Sequence, residues 1–171
     1  MKRGRFFLQN SKREPSPLLF QGRTQMGSDI QIREYRTEDY EAVAALWNEA
    51  GLPYKPQGRD RRDRVESQVK QPNVIFLVAE KRGELVGTVL GTHDGRKGWV
   101  NRLAVTTAFR NQGIARKLVE EVESRFFCQG IEIIACLIED WNKVSMEAFE
   151  KLGYTRHSEI IYFTKKKYPE V

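Results

Sequence analysis

The chain has 171 residues, of which 40% are hydrophobic and 30% are charged. This composition is typical of one globular domain rather than of a disordered or membrane-spanning protein. No apolar run approaches the roughly 18 residues that would cross a bilayer, so we expect no membrane partner. Two cysteines, Cys128 and Cys136, lack the spacing of metal ligands. They favour a reduced, cytoplasmic compartment and predict no bound metal.

The positive charge is concentrated at the N-terminus. Residues 1–28 carry six basic side chains and one acidic side chain, whereas residues 29–171 carry 23 basic and 22 acidic side chains. We therefore predict a flexible basic extension over residues 1–28, followed by one folded domain over residues 29–171. Nucleic acid is expected as a partner only through this extension. The stretch "RFFL" is too short for the apolar region of a signal peptide.

The first half of the domain contains strand and helix patterns. The segment that begins at Ile30 alternates apolar and polar residues, as a half-buried strand does. Thr37 is predicted to cap a helix that ends at Gly51. A charged helix is predicted over Asp60–Lys70, before Pro72. The apolar run "NVIFLVAE" and the following "ELVGTVLGT" predict a hairpin, and "GWVNRLAV" predicts a fourth strand.

The second half of the domain contains two predicted helices. Gly113–Gln129 is amphipathic, and Asn142–Leu152 is followed by the stop signal Gly153. The run "IEIIACLI" predicts a fifth strand between these helices, and "IIYFTKK" predicts a terminal strand. The order βααβββαβαβ indicates an α+β fold with three layers, α/β/α, around a central mixed, mostly antiparallel sheet.

The segment "RNQGIA" joins the fourth strand to the long helix. The N–H groups in the first turn of a helix have no partner within it, and the helix dipole attracts negative charge to them. Gly113 lets the backbone approach a bulky anion closely, and Ala115 leaves the next approach unobstructed. A pyrophosphate fits this arrangement. The segment lacks both the Gly-Lys-Ser/Thr of a P-loop and the three spaced glycines of a dinucleotide fingerprint.

With this segment the chain resembles the GNAT N-acetyltransferases, whose cofactor motif reads Arg/Gln-x-x-Gly-x-Gly/Ala. The later "NKVSMEAFEKLGY" resembles the family's second motif, an Asn-initiated helix that ends in Glu-Lys-Leu-Gly-aromatic. The segment "FLVAEKRGELVGTVLGTHDG" looks like the YpeA-type bacterial branch in particular. The resemblance covers about Ile30 to Lys166 and implies the acyl-CoA N-acyltransferase fold.

The resemblance also implies acetyl-CoA as co-substrate, held between the fourth and fifth strands. The backbone of strand four would pair with the pantetheine arm like an added strand. The backbone from Asn111 to Arg116 would hold the pyrophosphate, and the Arg116 side chain would be free to reach a phosphate. Asn142 would bond near the thioester. The implied cofactor-binding residues are Leu103, Ala104, Val105, Arg110, Asn111, Gln112, Gly113, Ile114, Ala115, Arg116, Asn142 and Phe149.

The catalytic acid and base are identified less directly. A lysine-like amine titrates near pH 10.4, so transfer to it needs a base, and the departing thiolate needs a proton. In many family members, a tyrosine seven residues after the motif Asn acts as the general acid; this chain has Phe149 at that position. Tyr154 and Tyr162 are the candidate substitutes. Glu139, at the end of strand five, is the candidate base; its alternative role is charge and capping at the next helix.

The acceptor is predicted to be a primary amine, on a protein N-terminus, a lysine or a small molecule. Basic residues occupy the segment where the family's acceptor-facing loop and second helix would be; they are Lys55, Arg59, Arg61, Arg62 and Arg64. Because Asp60 and Asp63 are interspersed, we interpret them as a solvated helix face rather than as an anionic acceptor site. A homodimer is left open.

Two functions from other classes remain as alternatives. The first is a non-catalytic acetyl-CoA-binding module, which Phe149 suggests because its side chain cannot donate a proton. The second is a ribosome- or RNA-associated protein that binds through its basic tail.

Overall fold

The structure is a computed structural model that describes residues 29–168. The predicted extension over residues 1–28 lies outside the described residues. Within these residues, five strands form one sheet in the order β1-β2-β3-β4-β5. Neighbouring strands are antiparallel except for the parallel pair β4 and β5, which confirms the mixed, mostly antiparallel sheet. The strands are β1 (Ile30–Glu34), β2 (Val74–Lys81), β3 (Glu84–His93), β4 (Lys97–Val105) and β5 (Ile133–Ala135).

Helices cover both faces of the sheet, which confirms the three predicted layers. One buried cluster contains Trp47 of the first helix and Val65 of the second. The other contains the long third helix and Phe149 of the fourth. The helices are α1 (Tyr40–Glu49), α2 (Arg62–Gln68), α3 (Ile114–Cys128) and α4 (Lys143–Lys151). Among the described residues, no helix has both the length and the apolar character needed to cross a membrane.

The central strand β2 explains the unbroken apolar run in the sequence. Ile75 and Leu77 pack in the cluster on the α3 side, whereas Phe76 and Val78 pack in the cluster on the α1 side. Successive side chains of a strand point to opposite faces, so a strand covered on both sides must be apolar at every position. The predicted hairpin is also confirmed, with Arg82 and Gly83 in its turn.

Glycines on β3 and β4 allow α3 to lie close to the sheet. A Cβ atom on Gly91 would lie 2.7 Å from a methyl carbon of Val122 and 2.9 Å from the ring of Phe126. A Cβ atom on Gly98 would lie 2.7 Å from the same ring. This close packing holds α3 against β3 and β4 and so determines where its N-terminal end lies relative to β4.

A β-bulge interrupts β4 in its second half. Thr88 pairs with Ala104 and Leu90 pairs with Asn101, so two residues of β4 lie opposite one residue of β3. One of these two residues, Arg102, has a φ of 52°. Bulges of this kind bend a strand and change the direction of its side chains.

Two predicted element boundaries are wrong. Thr37 does not cap α1; it begins a 3-10 turn, and α1 starts at Tyr40. The reason is Asp39, whose carboxylate accepts hydrogen bonds from the Arg33 side chain and from the Arg36 N–H, and this arrangement fixes the turn before the helix. The charged helix is also shorter than expected, because it begins after the turns at residues 56–60.

The terminal strand predicted over "IIYFTKK" is wrong for the described chain. Residues 155–168 pair with no strand of the sheet, and Ile161 and Phe163 are 77% and 86% exposed. Strand β5 is likewise limited to three residues. An apolar run forms a strand only when the backbone of a neighbouring strand bonds its N–H and C=O groups. The composition of the run cannot show whether such a neighbour is present.

Candidate functional site

A cleft opens where β4 and β5 stop pairing. The parallel pairing ends at Trp99 and Ala135. Beyond it lies a cleft of about 1620 Å³, lined by residues 100–105 of β4 and residues 136–139 after β5. Over residues 100–105, the edge of β4 that faces the cleft pairs with no strand of the described chain. An extended ligand can therefore add to this edge like a strand.

The loop between β4 and α3 presents a row of main-chain N–H groups. Within the described residues, the N–H groups of residues 111–116 donate to no acceptor, and the first such bond of the helix joins Lys117 N–H to Gly113 O at 3.1 Å. Asn111 and Gly113 have φ values of 59° and 76°. These left-handed conformations turn the backbone into the helix start. The result is a concave donor surface at the positive end of the α3 dipole, which suits an anion.

Most of the predicted cofactor-binding residues lie on this cleft. The lining contains Leu103, Ala104, Val105, Arg110, Asn111, Gly113, Ile114, Ala115, Asn142 and Phe149. Phe149 is 6% exposed and forms an apolar part of the wall. Ten of the residues that the family resemblance implied therefore line one cleft, which spans β4, the start of α3 and α4.

Two predicted residues, Gln112 and Arg116, are absent from the described lining of the cleft. The Gln112 side chain accepts a hydrogen bond from Lys81 Nζ at 3.1 Å. Arg116 was expected to be free to reach a phosphate. Instead, it pairs with Glu120, one helical turn away, at 3.2 Å and donates to the Lys151 carbonyl oxygen at 3.1 Å. Its side chain joins α3 to the C-terminal end of α4, where helix carbonyls attract cations.

Asn142 is the N-cap of α4, as the Asn-initiated helix predicted. Its Oδ1 accepts a hydrogen bond from the Ser145 N–H at 3.1 Å. The side-chain oxygen is therefore committed to the helix, and its amide N–H groups donate to no acceptor within residues 29–168. Because this side chain lies on the cleft, those N–H groups are the ones that a ligand can use.

The candidate acid and base residues separate into two places. Glu139 and Tyr162 line the cleft and are exposed. Tyr154 is not in the described lining, because the turn after α4 places it against α3, where its hydroxyl donates to Glu123 Oε1 at 2.7 Å. Burial, and then the hydrogen bond to Glu123, raise the pKa of Tyr154 far above its ordinary value. The structure therefore brings Glu139 and Tyr162 to one site and places Tyr154 elsewhere.

A buried ion pair between Asp60 and Arg102 was not foreseen. The side chains are 8% and 12% exposed. The Arg102 guanidinium also lies 5.0 Å from the ring centre of Trp47 and donates to the Pro53 carbonyl oxygen at 2.9 Å. Burial lowers the pKa of Arg102, and the charge of Asp60 opposes that effect. The pair joins the loop before α2 to the bulge of β4, and a charge pattern alone cannot reveal a contact between residues 42 positions apart.

The described residues contain no group of three or more His, Cys, Asp or Glu side chains placed to hold a metal ion. The described lining of the cleft offers main-chain N–H donors, the Glu139 carboxylate, hydroxyl groups and arginines. This set can bind an extended anionic ligand and accept a proton from a second one.

Comparisons with known proteins agree with this geometry. The model of the GNAT acetyltransferase family matches residues 31–154. Acetyltransferase plu1384 of Photorhabdus laumondii is 35% identical over 138 residues, which cover 80% of this chain and 95% of that protein.

Solved structures show the same fold. The aminoglycoside acetyltransferase AAC(6')-Iy, bound to the bisubstrate analogue CoA-S-monomethyl-acetylneamine, has a TM-score of 0.68 at 18% identity, over 80% of this chain and 98% of its own. The PaiA N-acetyltransferase of Thermoplasma acidophilum, in complex with coenzyme A, has a TM-score of 0.63 at 20% identity, over 71% of this chain and 87% of its own. The family model and the relative that is 35% identical establish that the chain belongs to the GNAT acetyltransferase family.

Proposed function

We propose that this protein is an acetyl-CoA-dependent N-acetyltransferase that acetylates a primary amine by direct attack in a ternary complex. The observation that carries the proposal is that two features suited to acetyl-CoA lie side by side in one cleft. The open edge of β4 lies next to the row of N–H groups over residues 111–116. An extended arm followed by a pyrophosphate has the shape and charge that this surface complements. The complexes of two structural neighbours with CoA or a CoA-derived analogue support the same assignment.

The chain's residues fit the co-substrate as follows. The main chain of Leu103, Ala104 and Val105 pairs with the pantetheine arm, and the N–H groups at the start of α3 hold the pyrophosphate. Space for it is available at Gly113, because no atom lies within 4 Å of the position that a Cβ would occupy. Acetyl-CoA supplies the acetyl group as a thioester. A main-chain N–H near Val105 polarises the carbonyl, and Asn142 donates nearby.

Glu139 is the proposed base, acting directly or through a water molecule on the acceptor ammonium. It is the one carboxylate of the described cleft lining that is exposed, because Asp60 is buried against Arg102. The departing thiolate is a less demanding problem, since an ordinary thiol has a pKa of about 8.5. Tyr162, also on the cleft, is the proposed proton donor. Holding the two reactants together contributes much of the rate enhancement.

A non-catalytic acetyl-CoA-binding module is the second candidate. The observation that favours it is the apolar side chain of Phe149 on the cleft, at the position where the family resemblance implies a tyrosine as proton donor. In this case the cleft would bind acetyl-CoA, and no amine would be acetylated.

One experiment separates the two functions. The full chain is incubated with acetyl-CoA and a panel of peptide, polyamine and small-molecule amines. Release of free thiol is followed, and acetylated acceptors are identified by mass spectrometry. Thiol release that depends on an amine and yields an acetylated amine supports the enzyme. Tight acetyl-CoA binding by calorimetry without turnover for any amine would support the module instead.

A further inference from the structure

Arginines dominate the charge of the cleft wall that is formed by the loop before α2 and by α2 itself. The described lining contains two carboxylates, Asp60 and Glu139. Against them it contains five guanidinium groups, of Arg59, Arg61, Arg64, Arg102 and Arg110. Arg110 lies on the other side, at the loop that precedes α3. The remaining four belong to the wall between β4 and α2.

Local ion pairs neutralise only part of this charge. Asp60 is committed to Arg102, and Arg59 lies 3.8 Å from the same carboxylate, so two arginines share one negative charge. Arg61 pairs with Asp63 at 2.5 Å, but both side chains are more than half exposed. Arg64 makes no ion pair with any described residue. The wall therefore keeps an excess of two positive charges.

Buried contacts hold this wall in place. The Asp60 carboxylate accepts the Lys55 N–H at 2.8 Å, and the Asp60 carbonyl oxygen accepts the Tyr40 hydroxyl at 2.8 Å. With the Arg102 pair, these contacts attach the loop to α1 and to the bulge of β4. The arginines are thus presented on a fixed surface that shares the cleft with Glu139.

Arg62 provides an internal comparison. Its guanidinium lies 4.7 Å from the ring centre of Tyr40 and pairs with Glu41 at 2.7 Å, and it is absent from the described cleft lining. The sequence suggested that the five basic residues of this segment form one solvated helix face. The structure shows that they do not. Three of them, Arg59, Arg61 and Arg64, face the cleft, whereas Arg62 faces α1.

We propose that the acceptor amine belongs to a molecule that also carries a carboxylate or phosphate, and that Arg61 and Arg64 bind this anionic group. The inference rests on the proposed function. Guanidinium groups bind carboxylate and phosphate oxygens through paired hydrogen bonds. Arg61 can exchange Asp63 for the ligand at little cost, because exposed ion pairs contribute little stability. The same excess charge repels polycationic amines, which distinguishes this cleft from one suited to aminoglycosides.

The test uses four acceptor peptides that differ at one position near the N-terminal amine: Glu, phosphoserine, Gln or Lys. With saturating acetyl-CoA, we expect kcat/KM for the Glu and phosphoserine peptides to exceed that for the Gln peptide by about fivefold. The Lys peptide should be the poorest substrate. The ratio of kcat/KM for the Glu peptide to kcat/KM for the Gln peptide should fall towards one in the double variant Arg61→Gln/Arg64→Gln and in high salt. It should persist in the matched control Arg62→Gln.

Three outcomes would overturn the proposal. They are equal rates for the Glu and Gln peptides, a preference for the Lys peptide, and a double variant that raises the KM for acetyl-CoA instead of that for the peptide. If no peptide is acetylated, calorimetry with CoA-saturated protein and the N-acetylated peptides gives a separate answer. Tighter binding of the Glu peptide, lost in the double variant, would support the anion site while the catalytic assignment fails. Equal affinities would refute the anion site as well.

Discussion

The ring of Tyr154 meets the ring of Phe149 edge to face, with 4.9 Å between their centres. Phe149 lines the cleft, while the Tyr154 hydroxyl donates to Glu123 on α3. The tyrosine closest in sequence to position 149, where the proton donor was expected, therefore places its hydroxyl outside the described cleft lining. It serves the packing of α4 against α3.

A Phe149→Tyr substitution should place a hydroxyl on the cleft wall beside the proposed thioester site. We expect the fold to remain intact and kcat to rise by no more than about tenfold, because a thiol leaving group needs little help from an acid. Steady-state kinetics and the Tm measure both effects. Phe149→Leu is the control without a hydroxyl, and an equal rise in that variant would contradict the explanation.

Tyr154→Phe should affect stability rather than catalysis. The change removes the hydrogen bond to Glu123, which is 2.7 Å long, and leaves the edge-to-face ring contact. We expect the free energy of unfolding to fall by about 1 kcal/mol while kcat stays at the wild-type value. Chemical denaturation and initial-rate measurements check this prediction. Loss of turnover in a folded variant would show that Tyr154 acts in the reaction.

Gly113→Val should weaken CoA binding at least tenfold, about 1.4 kcal/mol. The branched side chain would enter the space that we assign to the pyrophosphate. Gly95→Val is the matched control, because Gly95 also has a positive φ (87°) and no atom within 4 Å of its Cβ position, yet it lies outside the described cleft lining.

Both valine variants should lose about 1–2 kcal/mol of stability, because an L-residue in the left-handed conformation is strained. Calorimetry with CoA and thermal denaturation separate binding from folding. Unchanged CoA affinity in Gly113→Val, or an equal loss in both variants, would remove the pyrophosphate from this position.

Glu139→Gln should lower kcat/KM by at least about 100-fold, the range of a general base, and more than Tyr162→Phe does. The KM for acetyl-CoA should stay the same, because the carboxylate is assigned to the amine. Asp140→Asn is the control: Asp140 is the adjacent exposed carboxylate and is absent from the described cleft lining. A silent Glu139→Gln beside an inactive Tyr162→Phe would reverse the assignment.

Asp39→Asn should destabilise the protein in a pH-dependent way. Arg33 donates two hydrogen bonds to Asp39, at 2.7 and 2.9 Å, and thereby holds the pKa of this carboxyl below its ordinary value. A depressed pKa in the folded state stabilises the fold above the unfolded-state pKa, about 3.9, and this contribution disappears as the pH falls through the folded-state pKa.

At pH 7 we therefore expect a loss of about 1–3 kcal/mol in Asp39→Asn, and we expect the gap to wild type to narrow below about pH 4. Denaturant unfolding across this pH range measures the gap. Glu38→Gln, at the neighbouring exposed carboxylate, should show no comparable change. A gap that stays constant down to pH 2 would show that ionisation of Asp39 does not contribute.

The sequence alone determined the features that depend on neighbouring residues. The apolar run of β2, the turn at Arg82 and Gly83 and the Asn142 cap each follow from interactions within a few positions. The start of α3 at Gly113 belongs to the same group, because a left-handed turn favours glycine there. These local signals were sufficient to predict most strands and helices and the N–H groups at the start of α3, whereas the ligand-binding edge of strand four was implied by the resemblance to the GNAT family.

Only the tertiary structure decided which side chains share the cleft. Arg102 lies in the β4 bulge, next to the loop before α2, and there it pairs with Asp60. This loop and α2 present three arginines to the cleft, whereas the Arg62 side chain packs against α1. Tyr154 lies outside the described lining because of the turn after α4, and the terminal apolar run has no strand beside it in the described chain. Each of these outcomes depends on contacts between residues distant in sequence, and composition and periodicity carry no information about such contacts.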